Sequence, residues 1–340
     1  MTPRFHGGDL HHIKQTYPDA HTPWVDLSTG INPWGYPWME KLSSERLYQA
    51  GNRLPGDNDY ERCRQAYARY LNCTTEKLVF GPGSQALLEK LPALFPHSDV
   101  YVLGPTYQEH GHSWDRMGHT VHFLPYTAES LSMIPAGKII QITTPNNPDG
   151  ATIEPAQLYA FALSYTAKNG ILVIDEAFMD LTPENSLINY DLPDGVFVLR
   201  SLGKFFGLAG LRLGVLHASP GFCQRMISLS ALWNISTLTL EIATTAVADT
   251  AWITTTHKTL ARQMDRLCDL LKGSGYLLVG RTDLYCFITG DNIPELFYHL
   301  AQAGIYTRRF NDRPDHLRFG LPPTEAAFDR LNTLLQDPLL

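Results

Sequence analysis

Short apolar segments separated by helix-forming segments occupy residues 77–217, and this alternation constrains the fold more than any other feature of the sequence. The segments KLVF (77–80), DVYVL (99–103) and ILVID (171–175) have the length and composition of buried strands. Parallel strands need crossover connections, so such alternation predicts a mostly parallel sheet with helices on both faces. We therefore expect a three-layer α/β fold.

The length of the chain, 340 residues, exceeds the usual size of one hydrophobic core. A loop-rich segment opens the chain, and a long helical stretch from about residue 238 leads to short strands and helices. We predict a large domain over residues 46–235. A smaller α+β domain would combine residues 236–340 with the N-terminal segment 1–45.

Composition and charge disfavour several classes of protein. A formal net charge of −7 disfavours nucleic-acid binding, which requires a basic surface. The sequence has no apolar run of membrane-spanning length and no signal-peptide pattern, so we expect a cytoplasmic protein without membrane association. Neither a disulfide framework nor a zinc site is indicated by the five dispersed cysteines, Cys63, Cys73, Cys223, Cys268 and Cys286. A metal role is disfavoured for the histidines that lie close in sequence, His110, His112, His119 and His122, because they form no H-E-x-x-H pair.

Lys204 lies in the segment RSLGKFFGLAGLRLG (200–214), among glycines, leucines and phenylalanines. A partly desolvated lysine amine can form a Schiff base with a carbonyl, including that of pyridoxal phosphate. A surface lysine in a glycine loop is the alternative. Asp175 ends the apolar strand ILVID, where a carboxylate is costly unless it is paired. Its partner would be a protonated pyridine nitrogen or, alternatively, a neighbouring arginine.

Two further segments suggest anion binding. GPGS (81–84) lies between a strand and a helix and offers N–H groups and a hydroxyl to a phosphate, which Ser201 and Arg212 could also contact. GPGSQA half-matches a dinucleotide motif, but the next strand lacks the ribose-binding acid. Four arginines within eleven residues could bind a carboxylate and a phosphate together, or form a solvated basic loop: Arg308, Arg309, Arg313 and Arg318.

Three segments in order, TTPNNPDG (143–150), VIDEAF (173–178) and SLGKFFGLAGLRLG (201–214), resemble the signatures of fold-type I pyridoxal-phosphate enzymes. Within this superfamily the chain is similar to the histidinol-phosphate aminotransferase branch. It most closely resembles the threonine-phosphate decarboxylase-like proteins of cobalamin biosynthesis, through the segments FHGGDL, DLSTGINPWG, LGPTYQEH and RRFNDRPDHLRFGLP.

The resemblance implies a role for each matching residue. Lys204 would bond covalently to pyridoxal 5'-phosphate, Asp175 would face the pyridine nitrogen, and Asn147 would contact the phenolate oxygen. Tyr107 would stack on the ring. The implied phosphate ligands are Gly83, Ser84, Gln85, Ser201 and Arg212. The residues implied to surround the substrate are His6, Gly7, Asn32, Asn147, Arg308 and Arg318. Tyr107 as a helix-start aromatic and Asn147 as a turn residue are the alternatives.

Two positions depart from the family pattern. Phe178, which the resemblance implies would lie beside the cofactor, stands where related aminotransferases have a tyrosine, and the decarboxylase-like branch shares this change. Leu54 stands where relatives often have a tyrosine that reaches the neighbouring subunit's cofactor, which puts this contact in doubt unless Tyr60 replaces it. The resemblance also implies a homodimer.

The expected substrate is a small phosphorylated amino acid. The resemblance implies decarboxylation of L-threonine O-3-phosphate to (R)-1-amino-2-propanol O-phosphate for cobalamin biosynthesis. Transamination of histidinol phosphate or a similar amine is the alternative, because the cofactor alone does not decide which bond breaks. A regulator that binds the cofactor without catalysis is disfavoured, since the chain has no room for a helix-turn-helix domain.

Overall fold

The structure is a computed structural model that describes residues 7–336. Within these residues the strands are β1 (Val25–Asp26), β2 (Leu78–Gly81), β3 (Asp99–Gly104), β4 (Thr120–Pro125), β5 (Ile139–Thr143), β6 (Ile171–Asp175), β7 (Val196–Ser201), β8 (Gly214–His217), β9 (Leu277–Thr282), β10 (Tyr285–Thr289), β11 (Ile305–Tyr306), β12 (Arg308–Phe310) and β13 (Arg313–Gly320). The α-helices are α1 (Leu10–Thr16), α2 (Trp38–Lys41), α3 (Ser44–Gly51), α4 (Asp57–Tyr70), α5 (Ser84–Lys90), α6 (Glu109–Asp115), α7 (Ala128–Ser132), α8 (Pro155–Thr166), α9 (Pro220–Ser228), α10 (Thr237–Ala248), α11 (Thr250–Gly273), α12 (Ile293–Gln302) and α13 (Glu325–Leu335).

The chain divides into two compact units. The large unit comprises Gly35–Asn147 and Ala151–Thr254. The small unit comprises the described residues up to Trp34, the segment Pro148–Gly150, and the described residues from Thr255 onward. Both chain ends therefore contribute to the small unit, and most of the motif-bearing segments lie in the large one.

The boundaries between the units lie at residues 34/35 and 254/255, whereas the sequence led us to expect them at 45/46 and 235/236. Helix α10, expected in the small domain, packs against α3 and α4 of the large unit. Apolar and small residues cover most of the surface of α10, and a helix of this kind is stable only when it is buried on several sides. The contacts of this helix therefore move the second boundary toward the C-terminus.

A seven-stranded sheet forms the centre of the large unit, in the order β2-β8-β7-β6-β5-β3-β4. Strands β4, β3, β5, β6 and β7 run parallel, and β8 runs antiparallel to both β7 and β2. The mostly parallel α/β fold is thus confirmed. The carboxyl ends of the parallel strands meet at one edge of the sheet, which is where ligands bind in such folds.

The core of the large unit lies between this sheet and its helices. The central strands β6 and β7 are apolar on both faces, with Leu172, Val173 and Val198 fully buried. Each such side chain contributes about 1.5–3 kcal/mol on burial. Trp114 of α6 is also fully buried and belongs to the same core. The sheet edge is therefore a rigid support for the loops that follow its strands.

The small unit contains a four-stranded antiparallel sheet in the order β12-β13-β10-β9 and a parallel pair, β1 and β11. Val25 pairs with Ile305, which joins the N-terminal segment to the C-terminal part of the chain. Gly280 allows close backbone approach, because a Cβ at this position would overlap the carbonyl oxygen of Asp149. This contact places the segment Pro148–Gly150 in the small unit.

A helix that crosses a membrane must be both long and apolar. The longest helix within residues 7–336 is α11, with 24 residues, and charged side chains such as Lys258, Arg262 and Asp265 interrupt its apolar positions. None of the helices in this described part of the chain combines the length and the apolar character that a membrane crossing requires.

Candidate active site

Lys204 lies three residues beyond the carboxyl end of β7, in a turn that the N–H of Gly207 closes by donating to the carbonyl of Lys204 at 3.1 Å. The next two residues, Phe205 and Phe206, are buried, while Lys204 itself is only partly buried. Its Nζ lies 5.3 Å from the centroid of the Phe178 ring. The structure thus gives this lysine an apolar setting with partial access to solvent, as a reactive amine requires.

Asp175 ends β6, and its side chain is held from two sides. Its Oδ1 accepts a hydrogen bond from the N–H of Ala177 at 2.9 Å, and its Oδ2 lies 2.8 Å from Nε2 of His110. Nδ1 of His110 lies 3.1 Å from the Thr143 hydroxyl. Asp175 is buried, with 7% of the residue exposed, and the observed partner of its carboxylate is a histidine rather than an arginine. These two contacts fix the position of the carboxylate at the strand end.

His110 is a site residue that the sequence did not identify as a partner of Asp175. It is fully buried on α6, and 65 residues separate it from Asp175. From the sequence, His110 was weighed only as a metal ligand. No local sequence pattern links a helix residue to the end of a distant strand. The structure describes no cluster of three or more His, Cys, Asp or Glu residues within 7–336 that could hold a metal ion.

The turn between β2 and α5 lies against Arg212. Gly83 has a φ of 84°, and a Cβ at this position would overlap the Arg212 guanidinium. Gly214 pairs with Gly81 on one side and with Ser201 on the other, and a Cβ on Gly214 would overlap the N–H of Ser84. Two glycines thus bring backbone N–H groups, a hydroxyl and a guanidinium together, as a phosphate site requires.

Other predicted phosphate ligands are partly engaged within the protein. The Ser201 hydroxyl accepts a hydrogen bond from the N–H of Gly203 at 3.3 Å and retains its own proton for donation. The side-chain amide of Gln85 donates to Glu89 at 2.8 Å and to Glu109 at 3.3 Å. The side-chain amide of Gln85 is thus engaged within the protein, and the phosphate role of Gln85 stays a prediction.

Tyr107 and Asn147 follow the carboxyl ends of β3 and β5 at the same sheet edge. The Tyr107 ring meets the His110 ring edge-on, with 5.4 Å between the centroids. Burial, followed by the charges of Glu109 and Asp175, raises the pKa of Tyr107 to about 12, so its hydroxyl is protonated at neutral pH. Tyr107 and Asn147 therefore lie on the same edge of the sheet as Asp175, the last residue of β6.

A buried ionic network, which the sequence did not reveal, is formed by residues that neighbour Asp175 and Ser201 in the chain. Glu176 follows Asp175, and Arg200 precedes Ser201. The Arg200 guanidinium pairs with Glu176 at 3.1 Å and with Asp180, and all three side chains are buried. The network therefore joins the ends of β6 and β7, the two strands that carry the aspartate and the lysine loop.

The four arginines near the C-terminus lie in the small unit, on β12 and β13, and they do not form one cluster. Arg308 and Arg318 are directly paired across these two strands. Arg309 is exposed, and its guanidinium lies 4.7 Å from the Phe297 ring. Arg313 pairs instead with Phe310. Side chains alternate across a strand, so the structure brings together only Arg308 and Arg318.

Arg318 is buried, with 6% of the residue exposed, and it donates a hydrogen bond from Nη2 to the carbonyl of Ser28 at 2.9 Å. Burial lowers the pKa of its guanidinium to about 10; the Tyr285 phenol opposes this shift and the like charge of Arg308 adds to it. Two guanidinium groups at paired positions, one of them in a desolvated setting, form an environment that favours an anion.

Two further predicted substrate residues, Asn32 and Gly7, are also in the small unit. Asn32 is buried, and its side-chain oxygen accepts a hydrogen bond from the N–H of Trp34 at 2.9 Å. Gly7 packs so closely that a Cβ would overlap the carbonyl of Ser28. His6 lies outside the described residues.

Tyr60, considered as a replacement for the tyrosine missing at Leu54, is engaged within the large unit. Its hydroxyl donates to Asn234 at 3.0 Å and accepts a hydrogen bond from the N–H of Ile235 at 3.3 Å. Leu54 itself is 62% exposed. The structure of the single chain therefore gives Tyr60 a local structural role.

The residues of the large unit fit pyridoxal 5'-phosphate. The absence of a Cβ at Gly83 lets the phosphate-type turn lie against the Arg212 guanidinium, and this combination suits a phosphate. Asp175 offers a buried carboxylate to a protonated ring nitrogen, and Lys204 offers an amine in an apolar setting. These three groups lie where β6 and β7 end and β8 begins, at one edge of the sheet.

Comparison with known proteins adds an independent finding. Residues 22–331 match the family model "Aminotransferase class I and II". The threonine-phosphate decarboxylase of Pseudomonas aeruginosa is 35% identical over 97% of this chain and 96% of its own length, and that of a Sinorhizobium species is 33% identical over 96% of each. The fold resembles histidinol-phosphate aminotransferase from Sinorhizobium meliloti, solved with pyridoxal-5'-phosphate, with a TM-score of 0.83 at 18% identity over 98% of this chain and 94% of that one.

Proposed function

Because this chain belongs to the aminotransferase class I and II family, we propose that it decarboxylates L-threonine O-3-phosphate to (R)-1-amino-2-propanol O-phosphate. The chain is a pyridoxal 5'-phosphate-dependent enzyme. Two relatives named threonine-phosphate decarboxylase are at least 33% identical to it over nearly their full lengths, which supports this reaction. We further propose that the product serves cobalamin biosynthesis.

The observation that carries the proposal is the pairing of Arg308 with Arg318 in the small unit. The proposed substrate bears a phosphate and a carboxylate, and guanidinium groups bind both with paired hydrogen bonds. Burial and the like charge of Arg308 disfavour the charged form of Arg318, and a bound anion would remove this penalty. We propose that these two arginines bind the anionic groups of the substrate, together with Asn32, Gly7 and His6.

In the large unit, Lys204 would bond to the cofactor and Asp175 would accept a hydrogen bond from its ring nitrogen. Asn147 would contact the ring oxygen, and Tyr107 and Phe178 would contact the ring. The phosphate ligands would be Gly83, Ser84, Gln85, Ser201 and Arg212. When bound, the cofactor supplies an acceptor for the electron pair that remains on the substrate α-carbon after a bond to this carbon breaks.

The chain's own residues then have distinct tasks. Asp175, held by His110 and the N–H of Ala177, would place its carboxylate where it favours a proton on the ring nitrogen. Arg308 and Arg318 would hold the substrate's anionic groups, so that the carboxylate is oriented for release as carbon dioxide. The proton that the α-carbon then receives would come from the Lys204 amine or from water.

An amino-transfer reaction on histidinol phosphate or a similar amine is the competing function, because such a substrate also carries a phosphate. One experiment separates the two. Purified, cofactor-loaded protein is incubated with O-phospho-threonine, with and without 2-oxoglutarate, and the product mass is measured. A product that has lost the carboxylate and kept its nitrogen supports the proposal. A keto product, or no product, overturns it.

We also propose a homodimer. Several large apolar or aromatic side chains of the large unit are more than half exposed, among them Met39, Tyr48, Leu54, Leu232 and Trp233. Large contiguous apolar patches are rare on monomeric proteins, and we propose that these side chains belong to one such patch. Light scattering during size-exclusion chromatography should give twice the chain mass of 38.1 kDa, and a monomer mass would refute the proposal.

The five free cysteines suit a reducing compartment, and we propose that the enzyme acts in the cytoplasm.

A further inference from the structure

Four aromatic rings of the large unit, which we call the aromatic cluster, pack around the segment that follows Lys204. Phe205 and Phe206 are buried. The Trp252 ring stacks on Phe206, with 5.7 Å between centroids and 16° between planes, and it meets Phe205 edge-on, also at 5.7 Å. Tyr36 packs edge-on against Trp252 at 5.1 Å. The residues on the C-terminal side of Lys204 are therefore anchored by rings from two distant parts of the chain.

The backbone at this point is fixed as well. The N–H of Tyr36 donates to the carbonyl of Phe206 at 2.9 Å, and the N–H of Gly207 donates to the carbonyl of Lys204 at 3.1 Å. A Cβ on Gly35 would lie 3.0 Å from the carbonyl oxygen of Gly207, so the two segments are in close contact. Any movement of Tyr36 would thus be transmitted to the turn that carries Lys204.

One carboxylate holds the aromatic cluster together. Asp249 lies between α10 and α11, and its Oδ2 accepts hydrogen bonds from the Tyr36 hydroxyl at 3.2 Å and from Nζ of Lys41 at 2.8 Å. Its Oδ1 accepts from the N–H of Trp252 at 3.0 Å. The hydrogen bond from Lys41 is the main cause of the lowered pKa of Asp249. Burial, reinforced by Asp249, raises the pKa of Tyr36, so the Tyr36 hydroxyl stays protonated and continues to donate.

We propose that Asp249 is a positioning residue for Lys204 and acts through Tyr36 and Trp252. This inference rests on the proposed function in one respect, namely that Lys204 bonds to the cofactor. The lysine side chain is long and flexible, so the position of its backbone decides where the amine can reach. A small displacement of a reacting group is enough to weaken its chemistry, and packed neighbours prevent such displacement.

The test compares the full-length wild-type protein with Asp249→Asn and Tyr36→Phe. Two quantities are measured without substrate: the dissociation constant of pyridoxal 5'-phosphate and the pH midpoint of the visible absorbance of the lysine-bound cofactor. For Asp249→Asn we expect weaker cofactor binding by about tenfold, with a shift of the midpoint by about 0.5 pH unit or more. Tyr36→Phe, which removes one oxygen atom, should change both quantities in the same direction and by less.

Tyr165→Phe is the matched control. In the wild type the Tyr165 hydroxyl also donates within the large unit, to the carbonyls of Pro135 and Lys138 at 3.0 and 3.1 Å. These two partners precede β5 and are not adjacent in the chain to any proposed catalytic residue. This variant should lose stability without a change in either cofactor measurement. A purely structural role for Asp249 would give the same result, with lower unfolding stability and an unchanged midpoint, and would overturn the inference.

Failure of the proposed function can be told apart from failure of this inference. If wild-type protein shows a visible band that Lys204→Ala abolishes, yet releases no carbon dioxide from O-phospho-threonine, the proposed reaction is wrong and the positioning test stands. If the band persists in Lys204→Ala, the lysine is not the attachment point, and the inference is overturned together with its premise.

Discussion

Arg200 in the large unit and Arg318 in the small unit are almost equally buried, with 3% and 6% of each residue exposed, but their surroundings differ. Burial opposes the charge of Arg200, but Asp180 and Glu176 outweigh this effect and raise the pKa of its guanidinium. Burial lowers the pKa of Arg318 to about 10, and Arg308 adds a like charge. Acidic side chains outweigh the effect of burial on the pKa of Arg200, whereas burial is the larger effect on the pKa of Arg318.

The surroundings of a buried charge indicate whether the charge stabilises the fold or belongs to a binding site. A buried charge that the protein itself compensates holds elements together, and here it joins the ends of β6 and β7. A buried charge that the fold leaves disfavoured is retained at a cost in stability, and such a cost is typical of binding sites. Four measurements test this distinction.

The largest effect is expected for Arg200→Leu. The substitution would leave the carboxylates of Glu176 and Asp180 buried without their cation, which costs about 3–5 kcal/mol of unfolding free energy. Denaturant unfolding measures this loss. The control Arg69→Leu, on the exposed face of α4, should change stability by less than about 0.5 kcal/mol. A similar small change for Arg200→Leu would show that the network does not stabilise the sheet edge.

Arg318→Gln should affect catalysis more than stability. Loss of charge-assisted hydrogen bonds to the substrate should lower kcat/KM for O-phospho-threonine by about 10- to 100-fold. Unfolding free energy should stay nearly constant, because a charge that burial disfavours is removed together with its bond to Ser28. Arg318→Lys keeps the charge but not the planar fork, and should recover only part of the activity. A loss of stability as large as that of Arg200→Leu, with normal kinetics, would contradict the comparison.

A smaller effect is expected from anion binding to the cofactor-loaded protein, in which the cofactor already fills its own phosphate site. Inorganic phosphate at ten times its dissociation constant should stabilise the protein by about 1.4 kcal/mol, seen as a higher Tm. The Arg69→Leu variant should respond like the wild type, and Arg318→Gln should not respond. Equal stabilisation of Arg318→Gln would place the anion elsewhere.

The smallest effect concerns a third arginine, Arg53, which is about half exposed and pairs with Asp59. Its hydrogen bond is the main cause of the lowered pKa of Asp59, about 2. The pair therefore stabilises the fold above the unfolded pKa of about 4, and this contribution is lost as the pH falls from about 4 to 2. Solvent screening limits it to about 1 kcal/mol. Unfolding curves of Arg53→Gln should converge with those of the wild type near pH 2, and a constant gap would refute the assignment.

The sequence predicted the fold and the identity of many candidate site residues because both depend on local patterns. Apolar segments that alternate with helices determine a parallel sheet, and polar residues that follow such strands must lie at its carboxyl edge. Asp175 and Ser201 were located in this way, and the family resemblance added roles for Lys204 and Arg212. The structure adds that Gly83 and Gly214 allow close contacts around the predicted phosphate turn.

Only the tertiary structure decided the long-range contacts. His110 meets Asp175 across 65 residues, and α10 joins the large unit because its apolar surface packs against α3 and α4. The pairing of β12 with β13 separates Arg309 from Arg308 and Arg318, because neighbouring residues of a strand point to opposite faces. Local pattern determines which residues can become strand ends and turns. Strand register and helix packing, which join distant segments through burial, determine which side chains meet there.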